Sequence, residues 1–568
     1  MALLGTSFQI GRSALAAYQA AISVAGQNIA NVGNPNYTRQ SGHLNSLPGG
    51  SVFGVRPGAG VRLNALERHI DQAVEARLRL ALGSRSGEEV TYQTLSQTEA
   101  LFNELTEQDL STELSELFST FATLQTSPTD NSARSMIISA ADSVIRTLRR
   151  HRSGLLQQTE DLNQSAAALA RNANEIAAEI ASLNETIVVQ EADGRTSASA
   201  LRDRRDTLLR DLAELMDLQV REQANGSVNV YVGSDPLIEF DRSRGFEVEM
   251  VLEDGLEVAT VRFADDHGTV ILREGQLAAT LQVRDVYLAE QLDRLDQLAG
   301  ALIYEVNRIH STGVGLTGYS AMTGNYAVDD PDATLNSAAA GLPFPLQNGS
   351  FIVHMRDTGS GQVTTQQIEI DLDGIGNNDT TLNNLASMLN GVSGLTATVT
   401  GDNRLQLKAE SGTEFWFSED SSGALAALGL GAFFTGTNAA NIDVVSAVRQ
   451  DPRLIAASLT GQVHDGDNAG RLAGAGEASS GLLNTLSLSD YHQASVGELA
   501  TKTAGALTAY DAADAVYASL YAQREAISGV SLDEEAINLA KYERAFQGAA
   551  RFLSVLDDLS YEVLALVG

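Results

Sequence analysis

Apolar and small residues recur near the N-terminus at Leu4, Phe8, Gly11, Leu15, Tyr18, Ile22, Ala25 and Ile29, in alternating steps of four and three. That 3.5-residue period is the seam of a coiled coil and predicts an N-terminal helix. Thr6 with Gln9 fits a capping box at its start. Asn31-Val32-Gly33-Asn34-Pro35 should end it, because Gly33 suits a left-handed cap and Pro35 cannot continue a helix. The C-terminus repeats the design at Leu539, Tyr542, Phe546, Ala549, Leu553, Leu556, Ser560, Val563 and Val567, opened by Ser531 and Glu534 as a second capping box. A helix of about 35 residues spans ~50 Å. Two narrow seams at opposite ends of one chain each need a partner, and the simplest partner is the other seam. The plainer alternative is a pair of amphipathic helices laid on a globular core. Against it stands the broad polar surface that such narrow seams leave.

Between the ends the pattern changes three times. Residues 85–190 read as nearly continuous helix interrupted at Pro128, with Asp130 capping a long second segment through Ala133, Ile137, Val144, Leu148 and Leu155. Leu201–Leu218 is a further helix. A hairpin follows about Asn225-Gly226, with Val228, Val230 and Val232 in strict alternation. Strands are expected near 246–252 and 257–263, then helix over 275–309. Near Ser311 the chain turns rich in Gly, Thr, Asn and Asp, with strands expected at 351–356, 367–372, 396–400, 404–409 and 414–417 and a short helix at 381–389. Helix resumes from Asp451. The fold class is therefore mainly α with β-rich insertions, multidomain and nested. It comprises a terminal α-helical coiled coil (1–80 with 510–568), a helical-bundle rod domain with a small β-hairpin part (81–310 with 446–509, β near 218–263), and a β-rich outer α+β domain (311–445).

At 568 residues the chain is long enough for three or four domains, and 43% hydrophobic residues exclude wholesale disorder. A net charge of −34 argues against nucleic acid and anionic lipid as partners. The charge is uneven: Arg12, Arg39, Arg56 and Arg62 precede the first acidic residue, Glu67, whereas Asp533, Glu534, Glu535, Asp557, Asp558 and Glu562 crowd the other end. Opposite charge favours association of the two ends, although chance composition gives the same imbalance. With no cysteine there are no disulfides, thiol nucleophiles or thiolate metal sites. Residues 1–30 lack the basic start and solid apolar core of a Sec signal peptide. The richest apolar run, Ala424–Phe434, is too short and glycine-broken to span a membrane.

Enzyme chemistry finds little support. The eight histidines (His43, His69, His151, His267, His310, His354, His464 and His492) show no tight ligand spacing. Gly313-Val314-Gly315-Leu316-Thr317-Gly318 matches a dinucleotide fingerprint but follows a helix, so it reads as a loop. Asp371, Asp373, Asn377, Asn378 and Asp379 form a calcium-like acidic loop without the EF-hand glutamate, and turn formation is its default role. No cofactor and no metal are expected.

Asn28-Ile29-Ala30-Asn31 followed by Asn36-Tyr37-Thr38-Arg39-Gln40 resembles the N-terminal signature of the flagellar axial proteins, in the form found among the hook-associated junction branch. Ile527–Glu535 and then Tyr542–Arg551 are similar to that family's C-terminal motif, and Gln276–Ala279, Arg284-Asp285, Leu295–Ala299, Asn307 and His310 match its centre. No motif covers 311–440. The resemblance implies a non-enzymatic structural subunit of the extracellular flagellum, at the hook–filament junction, exported through the flagellar type III route and bound beforehand by an export chaperone. Its partners would be copies of itself, the hook protein and a second hook-associated junction protein. The hook subunit or that second junction protein is the alternative within the family, as is an axial protein whose insert carries a separate binding activity. The matching motif residues are Asn28, Asn31, Tyr37, Arg39, Gln40, Asp533 and Glu534. The assembly residues are Leu4, Phe8, Leu15, Tyr18, Ile22, Ile29, Leu539, Tyr542, Phe546, Leu553, Leu556 and Val563. Isolated seams bury too little to be firm alone, so residues 1–60 and 510–568 are expected to be loosely ordered in the free subunit.

Overall fold

The computed structural model describes residues 2–49, 58–102, 109–192, 197–253, 255–376 and 378–567. Helix α1 (Ala2–Ala30) leads into a hairpin of β1 (Gln40–Leu47) and β2 (Gly60–Arg68). Then come α2 (Gln72–Leu101), α3 (Leu110–Thr126), the 61-residue α4 (Asn131–Glu191) and α5 (Ser199–Leu215). Strands β3 (Gln219–Glu222), β4 (Val228–Val232), β5 (Asp235–Glu239) and β6 (Arg242–Ser243) form one antiparallel sheet, and β7 (Phe246–Glu253) pairs with β8 (Leu256–Phe263). Helix α6 (Gln276–Gln282) passes through a π-helical turn at Val283–Leu288 into α7 (Ala289–His310). Beyond it lie β9 (Ala321–Thr323), β10 (Gly349–Asp357), β11 (Val363–Ile370), α8 (Leu382–Leu389), β12 (Leu395–Val399), β13 (Leu405–Ala409), β14 (Thr413–Ser418) and α9 (Ala424–Leu428). The chain closes with β15 (Phe434–Thr435), β16 (Asp443–Val444), α10 (Ser446–Gln450), α11 (Asp467–Ala473), α12 (Leu488–Ser528) and α13 (Leu532–Val567).

The elements expected from periodicity are present within a few residues. Asp130 caps α4 by accepting the Ser132 N–H at 2.7 Å. Two details differ. Helix α1 already runs from Ala2, so Thr6 and Gln9 lie inside it rather than at its start. The β1–β2 hairpin was not anticipated, because neither strand buries a continuous face that would mark it. No described helix is long and apolar enough to cross a membrane.

The chain divides into two compact units. The first comprises Met1–Thr94, Glu160–Arg284 and Ala504–Gly568. Its core is built on a small-residue seam of α4, Ala166, Ala170, Ala173 and Ala177, which lets Leu209 and Leu212 of α5, Val228 and Val230 of β4 and Phe263 of β8 approach closely. Three asparagines of α4 hold the strands by their backbones. The Asn163 amide donates to Glu257 O (2.7 Å) and its oxygen accepts from Ala259 N (3.0 Å). Asn174 exchanges both bonds with Phe246 (2.8 and 2.6 Å), and Asn184 does the same with Val228 (2.8 and 3.0 Å). Each carboxamide supplies one donor and one acceptor, the pair that a strand residue presents.

The second unit comprises Leu95–Thr159 and Asp285–Thr503. Residues 311–445 fall within it. Strands β11, β10 and β14 form one sheet and β12, β13 and β9 another, and both bury alternate residues against Leu382, Leu385 and Leu389 of α8. Asn307 repeats the asparagine device: its oxygen accepts the Phe433 and Phe434 N–H groups, both at 2.9 Å, and its amide donates to Phe434 O at 2.9 Å. The glycines of the 313–318 loop are there for packing. A Cβ on Gly315 would lie 2.0 Å from Arg453 O and one on Gly313 2.2 Å from Asn468 Nδ2.

Candidate assembly interface at the chain termini

In the first unit α1 lies along α13, the pairing of elements that the two seams imply. Phe8, Leu15, Tyr18, Ile22 and Ile29 on α1 are half-buried, as are Leu539, Tyr542, Phe546 and Leu553 on α13; Leu556 is buried and Val563 is exposed. The side chains of Leu4 and Val567, and the whole of Arg56 and Asn377, lie outside the described residues. On α1 the buried positions are Gly11 and Ala25 of the seam, Ala17 and Ala21 beside it, and Asn28. A methyl group at Gly11 would sit 2.6 Å from Leu553 Cδ2, so the two helices meet at contact distance there. Gly11→Ala gains roughly 1 kcal/mol of helix propensity against that crowding and should be near neutral. Gly11→Leu cannot be accommodated and should cost the unit roughly 2 kcal/mol. Amide exchange across residues 2–30 of the two variants measures the difference.

The family-motif residues converge where α1 ends and α13 begins. The Asn28 amide donates to Gln40 O (2.8 Å) and to Glu535 Oε2 (3.1 Å). Its oxygen accepts the Tyr37 hydroxyl (2.7 Å) and the Gln40 N–H (3.1 Å). All four hydrogen-bonding capacities of a buried carboxamide are thereby used. Burial, then the nearby Asp203 and Glu535 carboxylates, pushes the Tyr37 phenol up to about 12. Arg39 donates through Nε to Glu535 Oε1 (2.9 Å) and pairs with Glu534 through Nη1 (2.8 Å), while its backbone N–H bonds Ser528 O (2.9 Å). Asn31 closes α1 by donating to Gln27 O (2.9 Å), and Asp533 stands exposed in the first turn of α13.

Further charged residues complete the knot. Arg524, at the end of α12, donates to Pro35 O (2.9 Å) and faces Glu75 of α2 (3.3 Å). Arg68 of β2 binds Asp203 (2.9 Å) and Asp206 of α5. Burial works against the Arg68 charge, but the two carboxylates outweigh it and hold its pKa above the ordinary value. The buried acceptor of α13 is Glu535, 3% exposed, rather than Glu534 or Asp533. The sequence signal available for these ion pairs was only the opposite charge of the two ends.

Among the described residues, a second face of α13 is much less covered. Phe552 (43% exposed), Val555 (56%) and Leu559 (45%) share one side, about a third of a turn from the seam, and Ile537 (69%) lies on the same side about 22 Å away, beyond Lys541 and Arg544. Exposed apolar stripes of this size mark contact sites. The acidic loop of the second unit is used differently. The carboxylates of Asp371, Asp373 and Asp379 approach within 4.8 Å, and Asp373 and Asp379 accept the N–H groups of Ile375 (2.8 Å) and Gly374 (3.1 Å) in a turn.

The model of the flagellar hook-associated protein FlgK helical domain matches residues 95–325. Flagellar hook-associated protein 1 of Escherichia coli strain K12 is 25% identical over 565 residues, covering 95% of this chain and 96% of that protein. Its counterpart in Bacillus subtilis strain 168 is 23% identical over 573 residues, covering 99% and 98%. The solved flagellar hook junction protein FlgK of Burkholderia pseudomallei superposes with a TM-score of 0.50 at 15% identity, covering 80% of this chain and all of that one. In its mainly helical fold with small sheets, the pairing of its terminal helices and this set of relatives, the chain resembles the flagellar axial proteins, structural components of the bacterial flagellum. Within that class the full-length similarity, at 23–25% identity, is to flagellar hook-associated protein 1.

Proposed function

We propose that the chain is a non-enzymatic structural subunit that joins hook to filament, assembling with copies of itself into a ring through its terminal helices. The observation that carries this is the apolar stripe Phe552, Val555 and Leu559, which stays largely open to solvent while the other side of α13 is occupied by α1. A chain with net charge −34 has little reason to expose it unless a neighbouring subunit covers it. Covering apolar surface supplies roughly 25 cal/mol per Å², and the seam residues on α1 and α13 set the helix that presents the stripe.

In this reading residues 1–80 with 510–568 form the axial core, 81–310 with 446–509 the rod domain and 311–445 the outer domain. The subunit leaves the cell through the flagellar type III pathway, is held before export by a chaperone, and meets the hook protein on one side and a second hook-associated junction protein on the other. A strain lacking the chain should build hooks without filaments and shed flagellin into the medium. Restoring the full chain should restore filaments. Restoring Leu553→Asp, which places a carboxylate against Gly11, should reduce incorporation at least about tenfold, the factor that 1.4 kcal/mol represents. Normal filaments in the deletion strain, or normal incorporation of Leu553→Asp, overturn the proposal.

A further inference from the structure

The outer sheets of the second unit treat their edges unequally. The open side of β14 is taken by Tyr319, whose backbone N–H donates to Phe415 O (2.8 Å) and whose carbonyl accepts the Phe415 N–H (2.9 Å). The open side of β12 is plugged by Asn390, whose amide donates to Ala397 O (2.6 Å) and whose oxygen accepts the Ala397 N–H (2.9 Å). β11 has one neighbour, β10, and no such plug. Among the described residues nothing on its far side hydrogen-bonds to the main chain from Val363 to Ile370. Residues 363–367 are all exposed, and only Ile368 and Ile370 anchor the strand in the core. β11 also lacks the usual deterrents to strand addition: it contains no proline, glycine or lysine and runs for 8 residues.

We propose that the free edge of β11 is an interaction surface for the same edge of a second copy, paired antiparallel about Gln366. Charge selects the occupant. Copies of a chain carrying −34 repel one another over most of their surface, whereas β11 holds a single charge, Glu369. With Gln366 opposite Gln366, Thr365 faces Gln367, Thr364 faces Ile368 and Glu369 faces Val363. The two Glu369 carboxylates then stand at opposite ends of the ladder, about 20 Å apart, beyond the ~8 Å screening length of physiological salt. Backbone hydrogen bonds supply the attraction and the small polar side chains supply the fit, as in strand addition generally. The contact is two-fold and self-complementary, unlike the head-to-tail contacts of a ring, and it uses none of the terminal helices. Its success or failure is therefore independent of the axial role.

The test uses the absence of cysteine from the chain. Gln366→Cys in the full-length protein introduces one thiol, which faces its own copy at the pairing axis, where cross-strand Cβ atoms approach to about 5 Å. Mild oxidation should cross-link this variant into dimers, and should leave Gln406→Cys, at an exposed position of the central strand β13, monomeric. Adding Thr365→Lys with Gln367→Lys sets lysine opposite lysine twice and should lower the cross-linked fraction about fivefold. Adding Thr365→Lys with Gln367→Glu sets lysine opposite glutamate and should preserve it, which also shows that the strand tolerates the changes. Equal cross-linking at 366 and 406, or equal yields from the two charge variants, overturns the proposal.

Discussion

Replacing Glu535 by alanine is expected to lower the stability of the first unit by about 3 kcal/mol, because it removes one partner of a buried ion pair and leaves the other in place. The carboxylate is 3% exposed and serves both the Asn28 amide and Arg39. Without it Arg39 keeps only Glu534, whose side chain is 60% exposed and whose attraction is weakened by solvent. The Asn28 amide loses the acceptor of one of its two N–H groups inside a buried site. Glu534→Ala, one residue away, should cost less than about 1 kcal/mol. Glu535→Gln should fall between, since it keeps an acceptor for Asn28 and gives up the charge that Arg39 requires. Amide exchange at Arg39, which bonds Ser528 O, and at Gln40, which bonds Asn28, reads the three variants against the parent chain. Equal losses at 534 and 535 would mean that the knot is not organised around Glu535.

The contrast between these two glutamates marks where sequence reading stops. Periodicity located α1 and α13 and the residues along which they meet, because each seam repeats over many turns and the apolar signal accumulates. It also located the Asn225-Gly226 hairpin and the alternating strands of residues 311–445. It could not say which of three consecutive acidic residues turns inward, because that depends on where Arg39 and Asn28 stand nearly 500 positions away. The same limit hides Asn163, Asn174 and Asn184. An asparagine inside a helix reads as a mild misfit, and its purpose appears only when the strand carbonyls of residues 257, 246 and 228 arrive beside it. Small residues mislead in the opposite way. Ala17 and Ala21, outside the seam, are among the most buried positions of α1, yet transfer energy assigns them little weight beside Leu15 or Ile22. The open stripe of α13 is legible only afterwards, since exposure is a property of what is left over once α1 has docked.

The second unit should lose about 3 kcal/mol of stability as pH falls from 6.5 to 4, through His310. This imidazole is fully enclosed. Its Nδ1–H donates to Gly431 O (2.7 Å) and its Nε2 accepts the Ala456 N–H (3.0 Å), an arrangement that only the neutral ring can satisfy. Burial first, with the Arg134 guanidinium adding repulsion, lowers its pKa from 6.5 to about 4 despite the favourable Gly431 bond. The sign follows directly. Between those values the unfolded chain binds a proton that the folded chain refuses, so stability is complete above pH 6.5 and drains away as pH falls toward 4. About 2.5 pH units at 1.36 kcal/mol each sets the size of the loss. The depressed carboxylates of the unit act later. Asp465 is half-buried, and desolvation alone would raise it, but the N–H groups of Asp467 and Thr460 and the hydroxyls of Thr460 and Ser458 hold it far below the ordinary range, so its contribution fails only below about pH 4. Trp416, the sole tryptophan and 2% exposed, reports unfolding of this unit in urea. His310→Gln retains a donor for Gly431 and an acceptor for Ala456 but cannot titrate. Its urea midpoint should vary much less between pH 6.5 and 4 than that of the parent chain, and parallel slopes for the two proteins would remove His310 as the source of acid lability.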